Sequence, residues 1–399
     1  MKREINEAVA TPSLVPSPLP HAPTVGIVAG EASGDLLGSL LIKAVQQAGL
    51  PACFEGIAGA KMQSLGARSL FPMEALSVRG YVEALSNLRQ ILAIRRQLAQ
   101  KILVARPRLF IGVDAPDFNL ALEARLKRKG IPTVHFVSPS IWAWRRGRIK
   151  KIRKAVSHML LIFPFEEALY AQAGIPATYV GHPLAHALPE QPDRKGARER
   201  LGLRPNGEYV ALLPGSRQSE LKLMADTFIE TARKIHERRG NVQFLIPLIT
   251  RETRLHFEEA IYRLQAHDIP IRILFGHAHD ALQAADAALI ASGTATLEAA
   301  LLKCPHVITY KVPWLTYQIM RRQAYLPYIG LPNILAGRMV VPELVQKQAQ
   351  PDLLAEEMLG LLENRLARET MLDAFEAMRR SLRRDTPRLI AEALTPYLK

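Results

Sequence analysis

Residues 209–220, YVALLPGSRQSE, place a phosphate-type turn after a short apolar run. Val210, Ala211, Leu212 and Leu213 read as a buried strand, because continuous apolar runs of this length suit the middle of a parallel sheet. Pro214, Gly215 and Ser216 break that strand. From Glu220 a helix is expected, with Leu221, Met224, Phe228 and Thr231 on one face. A strand, a tight turn and a helix N-terminus gather backbone N–H groups and the positive end of a dipole at one point, which suits an anion. Arg217 adds a planar fork matched to phosphate oxygens. The alternative is an ordinary turn with a solvated arginine. A second stretch, residues 291–298 (ASGTATLE), has the same character, with Gly293 in the turn and hydroxyls on Ser292, Thr294 and Thr296. Glu298 follows where it can accept both hydroxyls of a ribose. Together the two turns would cradle a nucleotide diphosphate. The chain has no D-x-D pair, no Walker A loop and no His/Cys cluster with ligand spacing, so no metal and no other cofactor is expected. His182, His277 and His279 are single imidazoles on loops, read as structural or substrate-contacting.

The first half of the chain offers a carboxylate. Residues 109–114, LFIGVD, form its clearest strand and end at Asp114. In open α/β sheets the chemistry lies beyond the carboxyl ends of strands, which makes Asp114 a catalytic candidate. A structural carboxylate holding a neighbouring loop is the alternative. Asp117 and Asn119 are substrate contacts or helix-capping groups. Residues 30–35, GEASGD, follow the first strand, and Gly30 and Gly34 there permit a tight turn. The spacing is not G-x-G-x-x-G, which argues against a nicotinamide-linked oxidoreductase.

These residues need strands and helices to position them. Strands are expected at 24–29, 52–57, 109–114, 133–137 and 159–163, and, after a Pro/Asp/Arg-rich connection at 189–207, at 209–213, 242–247, 271–274, 287–290 and 306–310. Helices alternate with them. The expected fold class is therefore α/β, with two facing, doubly wound parallel-sheet domains and the ligand in the cleft between them. Residues 24–188 form the first domain and 208–370 the second, and helices over 371–399 are expected to pack outside it or cross back. Residues 1–23 carry five prolines and no apolar signal core, and are set aside as a tail. Cys53 and Cys304 fit no disulfide or metal spacing, and both read as thiols of a reducing compartment.

At 399 residues, with 48% hydrophobic and 22% charged, the chain is an ordinary globular one except for its net charge of +15. That charge favours an anionic partner. Between Glu123 and Glu166 there is no acidic residue, and a basic run from Arg145 to Lys154 follows Trp142 and Trp144. No finger, RNP or helix-turn-helix signature accompanies it, so nucleic acid is not expected as a partner. Residues 73–82 precede a long helix and read as an exposed apolar surface suited to a membrane interface, or as core. No run of about 18 apolar residues marks a transmembrane helix.

VAGEASGD, GVDAPDFN, VSPSIWAWR, LLPGSR, ASGTATLEAAL and LPNILAGR, in this order, closely resemble the lipid-A-disaccharide synthase family, inverting glycosyltransferases of the GT-B fold. The resemblance spans residues 24–399. It implies transfer of 2,3-diacylglucosamine from UDP-2,3-diacylglucosamine to 2,3-diacylglucosamine 1-phosphate, giving the β-1,6-linked disaccharide and UDP. By the same resemblance Asp114 is the general base, and Arg217 neutralises charge on the departing UDP. Asn333 and Glu298 contact the donor, while Glu31, Ser33 and Asp35 line the sugar side. It also implies docking from the cytoplasm onto the anionic face of the inner membrane, through the Trp142/Trp144 stretch and the loop at 73–82, and it admits a homodimer. A UDP-N-acetylhexosamine enzyme of the same fold would share the second-domain turns, but would have no use for an apolar surface in the first domain. A non-catalytic binding protein would leave Asp114 and Arg217 without a purpose.

Overall fold

The computed structural model describes residues 22–76, 81–143 and 146–399, with backbone alone over 81–88. Most of the tail, residues 77–80 of the apolar loop, and Trp144 and Arg145 of the basic stretch lie outside the described residues. The first sheet contains β1 (Thr24–Ala29), β2 (Cys53–Ile57), β3 (Arg68–Ser69), β4 (Leu109–Val113), β5 (Thr133–Phe136), β6 (His158–Leu161) and β7 (Ala177–Tyr179). The second contains β8 (Glu208–Leu213), β9 (Val242–Leu248), β10 (Ile271–Phe275), β11 (Ala287–Ala291), β12 (His306–Tyr310) and β13 (Glu343–Val345). Their orders are β3-β2-β1-β4-β5-β6-β7 and β10-β9-β8-β11-β12-β13, and neighbouring strands run parallel. These are the two doubly wound sheets expected of the alternation. Their central strands β1, β4, β8 and β11 are almost wholly buried, as strands covered by helices on both faces must be.

The strand order reverses between β1 and β4 in one sheet and between β8 and β11 in the other. At such a point successive connections leave for opposite faces and open a crevice beyond the strand ends. The four turns singled out above follow these four strands. Topology therefore collects segments about 80 residues apart at one place in each sheet.

Some elements differ from the sequence-based expectation. The first helix begins at Ala32, four residues early, which puts Gly34 and Asp35 inside it. The 189–207 connection contains a helix, Arg194–Arg200, with Asp193 accepting from Gly196 N at 2.8 Å. Its Arg198 is buried and paired with Asp286. Strands β3 and β13 are two and three residues long and carry no periodic signal. The helix Thr386–Leu398 packs against Ala32–Gln47, and Arg108 Nε donates to the Tyr397 carbonyl at 3.2 Å. The chain end thereby joins the first sheet, and the Tyr179 hydroxyl donates to the Ser381 carbonyl at 2.6 Å across the same junction. No helix among the described residues is long and apolar enough to cross a membrane.

Candidate active site

Asp114 is the last residue on the β4 side of the crevice. It has φ +51°, and Ala115 follows with φ +43°. Two successive L-residues in the left-handed region are strained by roughly 1–2 kcal/mol each, although Asp tolerates that region better than most. The turn is held from behind. Asp114 N donates to the Phe136 carbonyl at 2.9 Å, and Asn119 Nδ2 donates to the Asp114 carbonyl at 2.8 Å. Gly30 is required here, because a Cβ on it would lie 2.8 Å from that of Ala115. The Asp114 carboxylate, in contrast, accepts no hydrogen bond from a described residue, and it lines a cleft of about 520 Å³ that is also lined by Gly293 and Thr294 of the second domain. A fixed backbone beneath an uncommitted carboxylate is what a general base needs.

Asn119 is therefore a positioning residue, fully buried with its amide also within 3.4 Å of the Val28 and Val113 carbonyls. Neither of the roles expected for it, substrate contact or capping, matches this geometry. Asp117 does not cap its helix either; its carboxylate pairs with Arg148 at the cleft wall. Beneath the turn, Glu123 Oε1 and His135 Nδ1 lie 2.7 Å apart and fully buried. Gly112 makes room for them, since a Cβ there would fall 2.1 Å from Glu123 Oε1.

The first-turn residues separate. Glu31 lines a second recess of about 420 Å³ beside Asp114 and Arg95, and Ser33 is exposed in the first helical turn. Asp35 is turned inward. Its two oxygens accept Lys61 N at 2.9 Å and Met62 N at 3.0 Å, so it caps the helix Ala60–Gln63 and does not line the sugar side.

The two phosphate-type turns are not equivalent. At the start of the helix Gln218–Arg239, Glu220 Oε2 accepts Ser216 N at 2.9 Å and Arg217 N at 3.2 Å. These amides are thus occupied from within the chain. Gly215, with φ +127°, leaves room for the Glu220 side chain. The expected cradle of Gly215 and Ser216 is filled by a carboxylate, and what remains for an external anion is the Arg217 side chain, 78% exposed and only 3.5 Å from Glu220. In the other turn, no side chain caps the helix Thr294–Leu301 at Gly293, and Gly293 and Thr294 face the cleft. Thr296 is buried, its hydroxyl donating to the Gly293 carbonyl at 2.8 Å, so it shapes the turn and is not a ligand donor. The Ser292 hydroxyl donates to the Ile329 carbonyl at 3.3 Å. Glu298 Oε2 lies 2.9 Å from His279 Nε2, and that contact raises the imidazole above its ordinary pKa.

Asn333 is fully buried and its amide is saturated. Nδ2 donates to the Val341 carbonyl at 2.8 Å and Glu343 Oε1 at 2.7 Å, while Oδ1 accepts Val340 N and Val341 N. It cannot also contact the donor. It pins the helix Leu331–Ala336, whose first residue lines the cleft, to β13.

Trp142, expected on the membrane-facing surface, instead packs edge-on to Phe165 at 5.3 Å and lines the cleft. Phe163 stacks on Phe165 at 5.4 Å and lines it too, which gives the cleft an apolar wall. Behind that wall Glu166 is buried, and desolvation pushes its pKa up to about 8. Burial likewise lowers His182 to about 4. Sequence reasoning missed Phe163, Phe165, Glu166 and Arg148 as site residues; the first three lie together in the FPFE stretch joining β6 to the next helix, which carries no motif signal, and Arg148 reaches the cleft from the basic run. Lys150, Lys151, Arg153 and Lys154 are exposed on the helix Ile149–Ala155 beside the cleft. Met73–Leu76 forms a 3-10 turn whose Met73, Ala75 and Leu76 pack against the first-domain core.

A family model described as Lipid-A-disaccharide synthetase matches residues 25–394. The chain belongs to that family. The lipid-A-disaccharide synthase of Methylobacillus flagellatus is 56% identical over 377 residues, 94% of this chain and 100% of the relative. That of Dechloromonas aromatica is 55% identical over 375 residues, 94% and 98%. Among solved structures, MurG of Acinetobacter baumannii aligns with TM-score 0.55 at 14% identity, covering 94% and 99%. A UDP-GlcNAc 2-epimerase of Methanocaldococcus jannaschii aligns with TM-score 0.62 at 12% identity, covering 94% and 99%. At such identities these structures speak for the fold alone. Family and fold together make the chain a GT-B glycosyltransferase of lipid-A-disaccharide synthesis.

Proposed function

We propose that the chain transfers 2,3-diacylglucosamine from its UDP carrier to the 6-hydroxyl of 2,3-diacylglucosamine 1-phosphate, with inversion and without a metal ion. The observation that carries this reading is one cleft bounded by an uncommitted Asp114 carboxylate on one side and the uncapped helix start at Gly293 and Thr294 on the other. The acceptor hydroxyl oxygen attacks the anomeric carbon from the face opposite the diphosphate. Its proton passes to Asp114 as the new C–O bond forms. The bond from the anomeric carbon to the diphosphate breaks, and UDP leaves with the electron pair. Charge building on UDP is met by the helix start and by Arg217, whose long exposed side chain can swing onto the phosphates. Glu298, oriented by His279, accepts from the ribose hydroxyls. Trp142 and Phe163 present an apolar wall to an acyl chain. Acylated, anionic substrates at the cytoplasmic face of the inner membrane give the basic face of the helix Ile149–Ala155 its purpose.

The test is turnover of the two diacyl substrates in detergent with EDTA present. Disaccharide and UDP in equal amounts, undiminished by EDTA, are expected. Turnover that appears only when a divalent metal is restored would sink the metal-free reading, and an enzyme inactive in both conditions would sink the substrate assignment.

A further inference from the structure

The acid-free window of the first domain has a counterpart in the second. Between Glu298 and Glu343 there is no Asp or Glu, while Lys303, Lys311, Arg321, Arg322 and Arg338 fall inside the interval. Lys303 pairs with Glu376 and Lys311 bonds Thr227, whereas Arg321, Arg322 and Arg338 have no ion pair among the described residues. At the centre of this window the helix Trp314–Gln323 has no buried residue. At 3.6 residues per turn, Leu315, Ile319 and Met320 share its outward side, with Arg322 flanking, and Tyr317 and Gln318 are half-buried on the other. Trp314 is 70% exposed, Leu315 65% and Ile319 51%. A ten-residue helix that buries so little draws scant stability from its own domain, and its outward side has no partner among the described residues. The chain after it runs to the mouth of the cleft. Tyr325 N donates to the Ala143 carbonyl of the first domain at 3.2 Å, Arg146 lies 4.1 Å over the Tyr325 ring, and Ile329 lines the cleft itself.

We propose that Trp314–Gln323 is a second bilayer-docking element, placed in the second domain, that lies in the interface of an anionic membrane. Leu315, Ile319 and Met320 enter the acyl boundary, Trp314 sits at headgroup level, and Arg321 and Arg322 meet the phosphates. This rests on the reading that the substrates are acylated sugars held in a membrane. Three observations select lipid over a second copy of the chain or an acidic protein. Arg322 borders the apolar face while Arg321 is exposed on the helix beside it, an exposed tryptophan stands at one end, and the segment is continuous with the cleft that an acyl chain must enter. Both domains then meet the bilayer at the same mouth.

The test uses the full chain and vesicles of phosphatidylcholine with phosphatidylglycerol, read by co-sedimentation. The double variants Leu315→Ser/Ile319→Ser and Arg321→Glu/Arg322→Glu should each weaken vesicle binding by about tenfold or more. Turnover on detergent-dispersed substrate and mass by light scattering should be unchanged. A Lys150→Glu/Lys151→Glu variant probes the first domain in parallel. Wild-type vesicle binding by both second-domain variants overturns the proposal, and so does a change in mass without loss of vesicle binding, which would make the face a subunit contact. If only the first-domain variant loses binding, this proposal fails and membrane docking survives. If the wild type binds no vesicle, both fail.

Discussion

Replacing Asp114 by asparagine separates the chemistry of its carboxylate from the shape of its turn. Asparagine shares aspartate's tolerance of the left-handed region, so φ +51° is retained. Alanine would add roughly 1–2 kcal/mol of backbone strain and blur the result. The hydrogen bonds that fix this turn use the Asp114 backbone N–H and carbonyl, and the variant keeps both. The carboxylate accepts no bond from a described residue, so stability should change by no more than about 0.5 kcal/mol, or about 1 °C or less in Tm for a chain of this size. Loss of a general base lowers turnover by about 100- to 10,000-fold, equivalent to about 2.7–5.4 kcal/mol of barrier. The assay is UDP release and disaccharide formation at saturating substrate in detergent, with Tm measured on the same preparation. Turnover within about threefold of wild type would refute the base assignment. A Tm fall beyond about 5 °C would show that the carboxylate holds the loop, the structural alternative that the sequence left open.

The other predictions divide positioning from contact and fix the protonation behind the cleft. Arg217→Ala should lower kcat by about 10- to 100-fold with Tm unchanged, because its side chain is exposed and only loosely held by Glu220. Asn333→Ala, which deletes an amide making four buried bonds, should instead lower stability by about 2–4 kcal/mol, visible as a Tm fall of several degrees, alongside any loss of turnover. Glu166→Gln should flatten the pH dependence of stability. The wild-type carboxyl holds its proton to about pH 8 when folded but loses it near 4.5 when unfolded, so the folded state binds more protons in between and stability falls as pH rises through that window. A wild-type Tm that declines no more steeply than the variant's from pH 5 to 8 would contradict this. Glu220→Ala should free the Ser216 and Arg217 amides and remove a helix cap, lowering stability by about 1 kcal/mol in denaturant titration.

The sequence alone determined the local elements and the places where chemistry could sit. Buried parallel strands write themselves as runs such as VALL and LFIGV, and a turn-forming residue soon after such a run, Gly215 in one case and Asp114 in the other, marks the turn. Those signals are local, so the two-sheet fold and the place of Asp114 at the end of β4 were legible. Local signals do not state which polar atoms the folded chain satisfies internally. Asp35, Asn333 and Thr296 have the residue types of ligand donors, yet each is buried with its polar atoms bonded to backbone or neighbouring side chains, and the Asn119 Nδ2 is likewise taken up by the Asp114 carbonyl. In the folded interior an unpaired polar group is costly, so such groups are drawn inward wherever a backbone N–H or carbonyl lacks a partner. Gly215 and Ser216 show the same effect from the other side, since a carboxylate four residues beyond Ser216 already fills their anion site. Tertiary structure also decided that Trp142 faces the cleft, and that the helix Trp314–Gln323 keeps its apolar side bare. Whether an apolar or polar side chain points inward or outward depends on what the rest of the chain brings beside it, and that is settled only when the sheets and helices pack.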